Sequence, residues 1–232
     1  MRKDHLDVFG ALLLFGVTVL LASNQILMKL TAVGIQPVFM AGARSVLAVL
    51  CLYIWMAWKG RAPRNLGADI GPGIAIGLVF AAEFLFLFLA VDRTSVGHVA
   101  ILFYSMPVWF ALLAHFFLGE RLTWMRSAGL ALAFSGAAVV ILARSGGDQH
   151  STLTGDIFAL FAAFGWAGSA FLARATRLRQ AGPEMQLFWM VLISAPILIL
   201  ASLGFGPLLR DIQPIHWAML LFQGSVVATG GF

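Results

Sequence analysis

The stretch Leu89–Leu142, LAVDRTSVGHVAILFYSMPVWFALLAHFFLGERLTWMRSAGLALAFSGAAVVIL, decides the fold class. It holds two apolar segments, Val99–Leu118 and Trp124–Leu142, joined by Gly119-Glu120-Arg121-Leu122-Thr123. Each segment supplies roughly the ~20 apolar residues that a membrane-crossing helix requires. A link this short sends the second helix back antiparallel to the first.

The whole chain repeats that pattern. Of its 232 residues 61% are apolar and 11% charged, against ~45–50% and ~25% in soluble domains. A soluble fold of this size has no interior large enough for so much apolar surface, so the composition implies a multi-span membrane protein. Eight segments qualify by length: Val8–Leu30, Pro37–Trp58, Ile70–Val91, Val99–Leu118, Trp124–Ala143, Asp156–Ala173, Gln186–Leu203 and Ile215–Phe232. Helices are the form expected of them, because lipid offers no partner to exposed backbone groups. A transmembrane barrel needs ~10-residue alternating strands, and runs such as Ala11-Leu12-Leu13-Leu14-Phe15 do not alternate. The expected class is therefore an all-α integral membrane bundle.

The net charge of +5 is placed for membrane orientation and not for nucleic acid. With the N-terminus in the cytoplasm, Arg2, Lys3, Lys59, Arg61, Arg64, Arg121, Arg126, Arg174, Arg177 and Arg179 fall in inner segments. Only Arg93, Arg144 and Arg210 fall outside. Ten against three is the bias that fixes topology, and it predicts a cytoplasmic N-terminus. Met-Arg-Lys before an apolar run resembles a signal peptide, but the run is long and more membrane follows it. The one cysteine, Cys51, excludes an intramolecular disulfide and a CxxC metal site, and no cofactor or metal is expected.

The opening stretch also carries a resemblance. Asp92-Arg93-Thr94-Ser95-Val96, the mid-segment Ser105-Met106-Pro107 and the terminal Leu118-Gly119-Glu120-Arg121-Leu122 occur in the order found in the drug/metabolite transporter superfamily. The chain resembles its EamA-type members. First spans of that family often read Trp-Gly-Ser-Asn with a Lys five residues on. Ser23, Asn24 and Lys29 match this, while Leu21-Ala22 replaces Trp-Gly. The resemblance implies a transporter of amino acids, drugs or related metabolites, built from two five-span repeats.

A faint internal repeat agrees with that expectation. A shift of 145 residues lays Leu21-Ala22-Ser23-Asn24 on Trp166-Ala167-Gly168-Ser169 and Lys29 on Arg174. A shift of 149 instead lays Asp7, Phe9, Phe15 and Gly16 on Asp156, Phe158, Phe164 and Gly165. The two registers compete, and both relate span one to span six. An odd number of spans per repeat inverts the second copy in the membrane, the arrangement of secondary transporters with a midplane site. The expected domains are residues 1–145 and residues 155–232, the second copy lacking counterparts of spans four and five.

Three ionisable side chains, Lys29, Arg44 and Glu83, fall within the spans. Each costs at least ~2.5–3.5 kcal/mol on insertion scales, so each calls for a reason. Glu83 stands near the middle of its span, as a proton- or cation-binding carboxylate or as a structural acid paired to a neighbouring helix. Lys29 ends span one, where it either snorkels to the headgroups or, as the resemblance implies, serves the site. Arg44 lies at a similar level, and the resemblance again implies an equivalent arginine. Together they would attract a carboxylate or phosphate.

Gln25 and Lys29, four apart, share a helix face that Asn24 does not. Tyr104, Pro107, Ala111 and His115 form a stripe on span four, with Tyr104 facing the cavity. Ser127, Ala131 and Ser135 on span five, with Gly73 and Gly77 on span three, suggest close helix packing. Gly119-Glu120 is expected as a turn with an ion pair to Arg121. The candidate substrate-binding set is Asn24, Lys29, Arg44, Glu83, Tyr104 and Trp166.

The expected function is secondary transport of small metabolites, anionic or zwitterionic, through a bacterial inner membrane. It would proceed by alternating access with proton or ion coupling, or by exchange. The expected partners are the lipid bilayer and the solute, not nucleic acid, with a second copy of the chain as a further candidate. A membrane receptor or structural subunit is the alternative. An enzyme is disfavoured, because five histidines are scattered at 5, 98, 115, 150 and 216 with no converging acids.

Overall fold

Apolar segments that meet lipid must pair their own backbone groups, and in the computed structural model of this protein they do so as helices. The structure describes residues 8–60, 69–120, 122–142 and 152–227. Its helices are α1 (Val8–Thr31), α2 (Pro37–Trp58), α3 (Ile70–Arg93), α4 (Val96–Phe103) and α5 (Met106–Phe117). They continue as α6 (Trp124–Leu142), α7 (Leu153–Ala175), α8 (Leu178–Ala181), α9 (Pro183–Ser202) and α10 (Pro214–Phe222). A π-helical turn, Gln223–Val227, follows α10.

Five helical stretches are long and apolar enough to cross a membrane: α2, α3, the α4–α5 pair over Val96–Phe117, α7 and α9. The chain is a multi-pass membrane protein. Of the other three expected spans, α1 offers a shorter apolar stretch at Phe15–Thr31, α6 runs 19 residues, and α10 runs nine. Arg2, Lys3, Arg61, Arg64, Arg121 and Arg144, used above to orient the chain, lie outside the described residues.

Span four is not one helix. Pro107 has no N–H for the Phe103 carbonyl, and the residue before a proline is pushed from helical geometry. The chain therefore breaks at Tyr104-Ser105. Ser105 N donates to Leu102 O at 3.2 Å, its Oγ caps the same carbonyl at 2.6 Å, and α5 restarts at Met106. The expected continuous stripe from Tyr104 to His115 is thus divided, and Tyr104 sits at the break itself. His115 turns to the next loop, with Nδ1 2.9 Å from the Glu120 carbonyl. The Gly119 turn forms as expected, with a positive φ of 68° that favours glycine. Glu120, however, pairs with Arg174 of α7 at 2.6 Å; Arg121 lies outside the described residues.

The core forms where α3 is held between α7 and α9. Gly73 and Gly77 pack as expected: a Cβ at either would stand 2.3 Å from the Trp189 ring or 2.4 Å from Ile193, both on α9. On the other side Gly165 of α7 meets the backbone of Glu83. α2 crosses α9 with Gly42 against Ile199 and with Ser194 Oγ 3.3 Å from Ser45 Oγ. The packing expected on α6 does not form. Ala131 and Ser135 are exposed, and Ala137 is the buried contact, because α6 lies at the margin of the bundle against α4 and α5.

One end of the bundle is tied between segments far apart in the chain. Ile35 bridges Leu209, Gln36 N donates to Leu208 O at 2.9 Å, and Gln36 Nε2 donates to Ser202 O at 2.8 Å. At the same end Thr94 Oγ1 donates to the buried Asp156 at 2.7 Å, and His98 Nδ1 stands 3.2 Å from that carboxylate. Thr152 caps α7 by accepting from Gly155 N at 3.1 Å and donates to Arg93 O at 2.7 Å. Thr152 thus satisfies a terminal backbone group of each helix, the Gly155 N–H of α7 and the Arg93 carbonyl of α3.

Candidate functional site

A cavity of about 330 Å³ lies between α1, α2, α3, α4, α7 and α9, at the lower end of the range of small-molecule sites. Its polar lining comes from Asn24, Gln25, Arg44, Ser45, Glu83 and Tyr104. Its apolar walls include Phe80, Phe84, Leu87, Phe103 and Trp166. Trp166 stacks on Phe103 with ring centres 4.7 Å apart and presents an edge to Tyr104 at 6.0 Å.

The two charges are deeply placed. Arg44 is 6% exposed and Glu83 3%. The Arg44 guanidinium carbon lies 4.2 Å from the centre of the Phe84 ring and 5.8 Å from that of Phe88. Phe84 and Phe88 are one turn apart on α3, so both faces turn to α2. Glu83 lies near enough to act on Arg44 electrostatically, with no ion pair closed between them, and accepts a hydrogen bond from Ser169 Oγ at 3.3 Å. Its backbone is held by Gly165, whose missing Cβ leaves room for the Glu83 Cα. The Glu83 side chain is thus fixed from α7.

Five of the six candidate residues share this cavity: Asn24, Arg44, Glu83, Tyr104 and Trp166. Lys29 does not. Its amine donates to the carbonyls of Val91 and, at 3.3 Å, Thr94. The last carbonyls of a helix have no partner within it, and a cation there also meets the negative end of the helix dipole. Lys29 therefore fastens α1 to the end of α3, and the electropositive vestibule expected from Lys29 with Arg44 does not form. Lys29→Met should lower the midpoint of thermal unfolding, at a cost of about 1 kcal/mol, and leave ligand affinity in the cavity unchanged. A selective loss of affinity, measured by titration calorimetry, would return Lys29 to the site.

Gln25 and Ser45 on the cavity wall, and Ser169 behind Glu83, were not among the candidates. Gln25 lines the wall beside Asn24, and its side chain lies against the Tyr104 hydroxyl. The helix-face count assigned it to Lys29's side, whereas the cavity wraps around α1 widely enough to take both neighbours. Ser169 was legible in principle: the 145-residue shift lays it on Asn24.

A cation, a carboxylate, two amides and a phenol, walled by rings, can hold one small polar molecule by both charge and stacking. The comparisons with known proteins agree in kind. The EamA-like transporter family matches residues 8–142. A probable amino-acid metabolite efflux pump of Escherichia coli (strain K12) is 30% identical over 99% of this chain and 76% of its own length. The Salmonella typhimurium protein of the same description is 32% identical over 97% of the chain and 71% of its length. A probable terminal-alkyne amino-acid exporter of Streptantibioticus cattleyicolor is 41% identical over 37% of the chain and 29% of its length. The chain belongs to the EamA-like transporter family, within the drug/metabolite transporter superfamily.

Proposed function

We propose that this chain is a secondary transporter of small amino-acid-type metabolites in the bacterial inner membrane, with the solute held in the α1–α4, α7, α9 cavity. The observation that carries this reading is the buried Arg44 on the cavity wall. Among the described residues none accepts a hydrogen bond from its guanidinium. A fork of unused donors beside aromatic rings suits a solute carboxylate, which guanidinium binds in bidentate fashion.

Alternating access of two inverted repeats is the proposed mechanism. Helix bounds support the 145-residue register: shifted by it, α1 falls on 153–176 and α2 on 182–203, beside the observed Leu153–Ala175 and Pro183–Ser202. The same shift places Leu21 on Trp166, both lining the cavity, and Asn24 on Ser169. The α2–α9 contacts pair Gly42 with Ile199, Ser45 with Ser194 and Leu52 with Phe188. Such antiparallel matching suits a pseudo-twofold axis between α2 and α9, across which two rigid halves rock.

With the N-terminus cytoplasmic, the tied end bearing Gln36 and Asp156 is the outer one. The cavity lining continues toward the opposite end through Leu187, one turn into α9. The conformation is then closed outward, with Glu120–Arg174 the cross-half ion pair near the inner end. Glu83 is the proposed coupling carboxylate, exchanging a proton or a solute ammonium as the halves rock.

The test is flux into proteoliposomes holding the purified chain, with labelled amino acids and an imposed pH gradient. Wild type should move solute in response to the gradient, and Glu83→Gln should lose the gradient dependence. Gradient-driven flux through Glu83→Gln at the wild-type rate would remove Glu83 from coupling. No flux of any amino acid or derivative would leave the receptor or structural reading.

A further inference from the structure

Asn24 and Gln25 present an anomaly that the carboxylate anchor does not absorb. Both are more than nine-tenths buried, at 8% and 3% exposure, and both line the cavity. Asn24 Oδ1 and Gln25 Oε1 meet no donor. The only described use of the Asn24 amide is a weak contact from Nδ2 to Met28 Sδ at 3.5 Å. A buried acceptor left unmade costs about 1–3 kcal/mol, and both of these belong to the α1 side of the cavity.

Glu83, also on that wall, adds a third acceptor, so the cavity is divided in character. Arg44 offers donors, while Asn24, Gln25 and Glu83 offer oxygens. We propose that Asn24 Oδ1, Gln25 Oε1 and the Glu83 carboxylate form a subsite for the primary ammonium of the solute, and that the unsubstituted –NH3+ group is required for tight binding.

The chemistry matches in number and charge. A primary ammonium carries three N–H donors and no acceptor, and three oxygens, one of them charged, satisfy all three. The terminal torsions of Asn and Gln are broad and soft, so oxygens that are covered in this conformation can swing to a donor entering the cavity. Each N-methyl group removes one donor and strands one buried oxygen, and sites built on hydrogen bonds reject analogues on that ground. Deamination strands all three. The inference rests on the solute reading proposed above, and it makes Asn24 and Gln25 determinants of specificity that act beside Arg44.

The experiment is titration calorimetry on the full chain in detergent, with L-phenylalanine as probe because the cavity walls are aromatic. The companion probes are 3-phenylpropionate, which lacks the amine, and N,N,N-trimethylphenylalanine. L-Phenylalanine should bind at least about tenfold more tightly than either, the worth of one charge-assisted bond or more. In Asn24→Leu/Gln25→Leu, L-phenylalanine should fall toward the affinity of 3-phenylpropionate, while that acid keeps its wild-type affinity and so reports an intact cavity.

Equal wild-type binding of L-phenylalanine and its trimethyl analogue would overturn the subsite and leave the carboxylate reading standing. Equal weakening of L-phenylalanine and 3-phenylpropionate in the double variant would assign both amides a structural role and overturn it likewise. Binding that needs sodium and ignores methylation would hand the oxygens to a metal ion. Failure of every probe to bind would overturn the solute reading along with the subsite.

Discussion

Arg44→Ala should abolish solute binding and flux and also lower the stability of the fold, the largest combined loss expected from any cavity substitution. Its guanidinium packs 4.2 Å from the Phe84 ring centre and lies near enough to Glu83, 3% exposed, to act on it electrostatically. Removing the guanidinium takes away that interaction and its ring contacts together. Two effects are thus superposed, and a second variant separates them. Arg44→Ala/Glu83→Gln carries no stranded carboxylate, so its thermal midpoint should return toward wild type. Its affinity for 3-phenylpropionate should not, because the donor fork is still missing. That non-additivity marks direct coupling between the two residues. Recovery of binding along with stability would mean that Arg44 serves the fold alone.

Gly165→Leu should be the most damaging packing substitution. A Cβ at Gly165 would lie 2.9 Å from Glu83 Cβ, 3.0 Å from its Cα and 3.3 Å from its N. Two of those neighbours are backbone and cannot swing aside, so α3 and α7 must separate. Overpacking of this kind costs about 1–3 kcal/mol for modest additions and more where nothing yields. Gly165→Ala should lower the thermal midpoint, and Gly165→Leu should prevent recovery of folded chain from detergent. Gly129 on α6 has no atom within 4 Å of its would-be Cβ, so Gly129→Leu should leave the midpoint unmoved. If both glycines tolerate leucine equally, the α3–α7 contact is not as close as described.

Lys29 and Glu83 show why one sequence signal was misleading and the other sound. Both are ionisable groups in apolar surroundings, and insertion cost flags them equally. A carboxylate in mid-span cannot reach the interface, so Glu83 had to be answered by another helix, and Ser169 of α7 answers it. A lysine one turn from a helix end has several cheap partners. The carbonyls of Val91 and Thr94 satisfied it, where a vestibule had been expected. Gly73 and Gly77 were legible because small residues four apart admit another helix whatever its identity. Ser127, Ala131 and Ser135 look alike in sequence, but no helix lies over Ala131 or Ser135 among the described residues.

The broken span makes the same point locally. Pro107 was expected as part of a stripe on span four, and the break at Tyr104-Ser105 decided that Tyr104 would close a cavity wall against Trp166. The resemblance of span one to span six was visible in two registers. The proposed repeat takes the 145-residue shift, since bounds report backbone pairing, whereas a few matching side chains do not.

By itself the sequence determined the membrane class, the helical form, the family and the approximate bounds of most helices. Those follow from composition and local backbone chemistry, in which lipid admits few alternatives. Only the tertiary structure decided which polar side chains share a cavity. It placed Gln25 beside Asn24 on that wall and gave Glu83 to Ser169. It also sent Lys29 to the end of α3 and Glu120 to Arg174. The reason is that a helix fixes the direction of each side chain only relative to its own axis. What a side chain meets is set by the crossing of helices far apart in the chain, and here glycines at 73, 77 and 165 set those crossings.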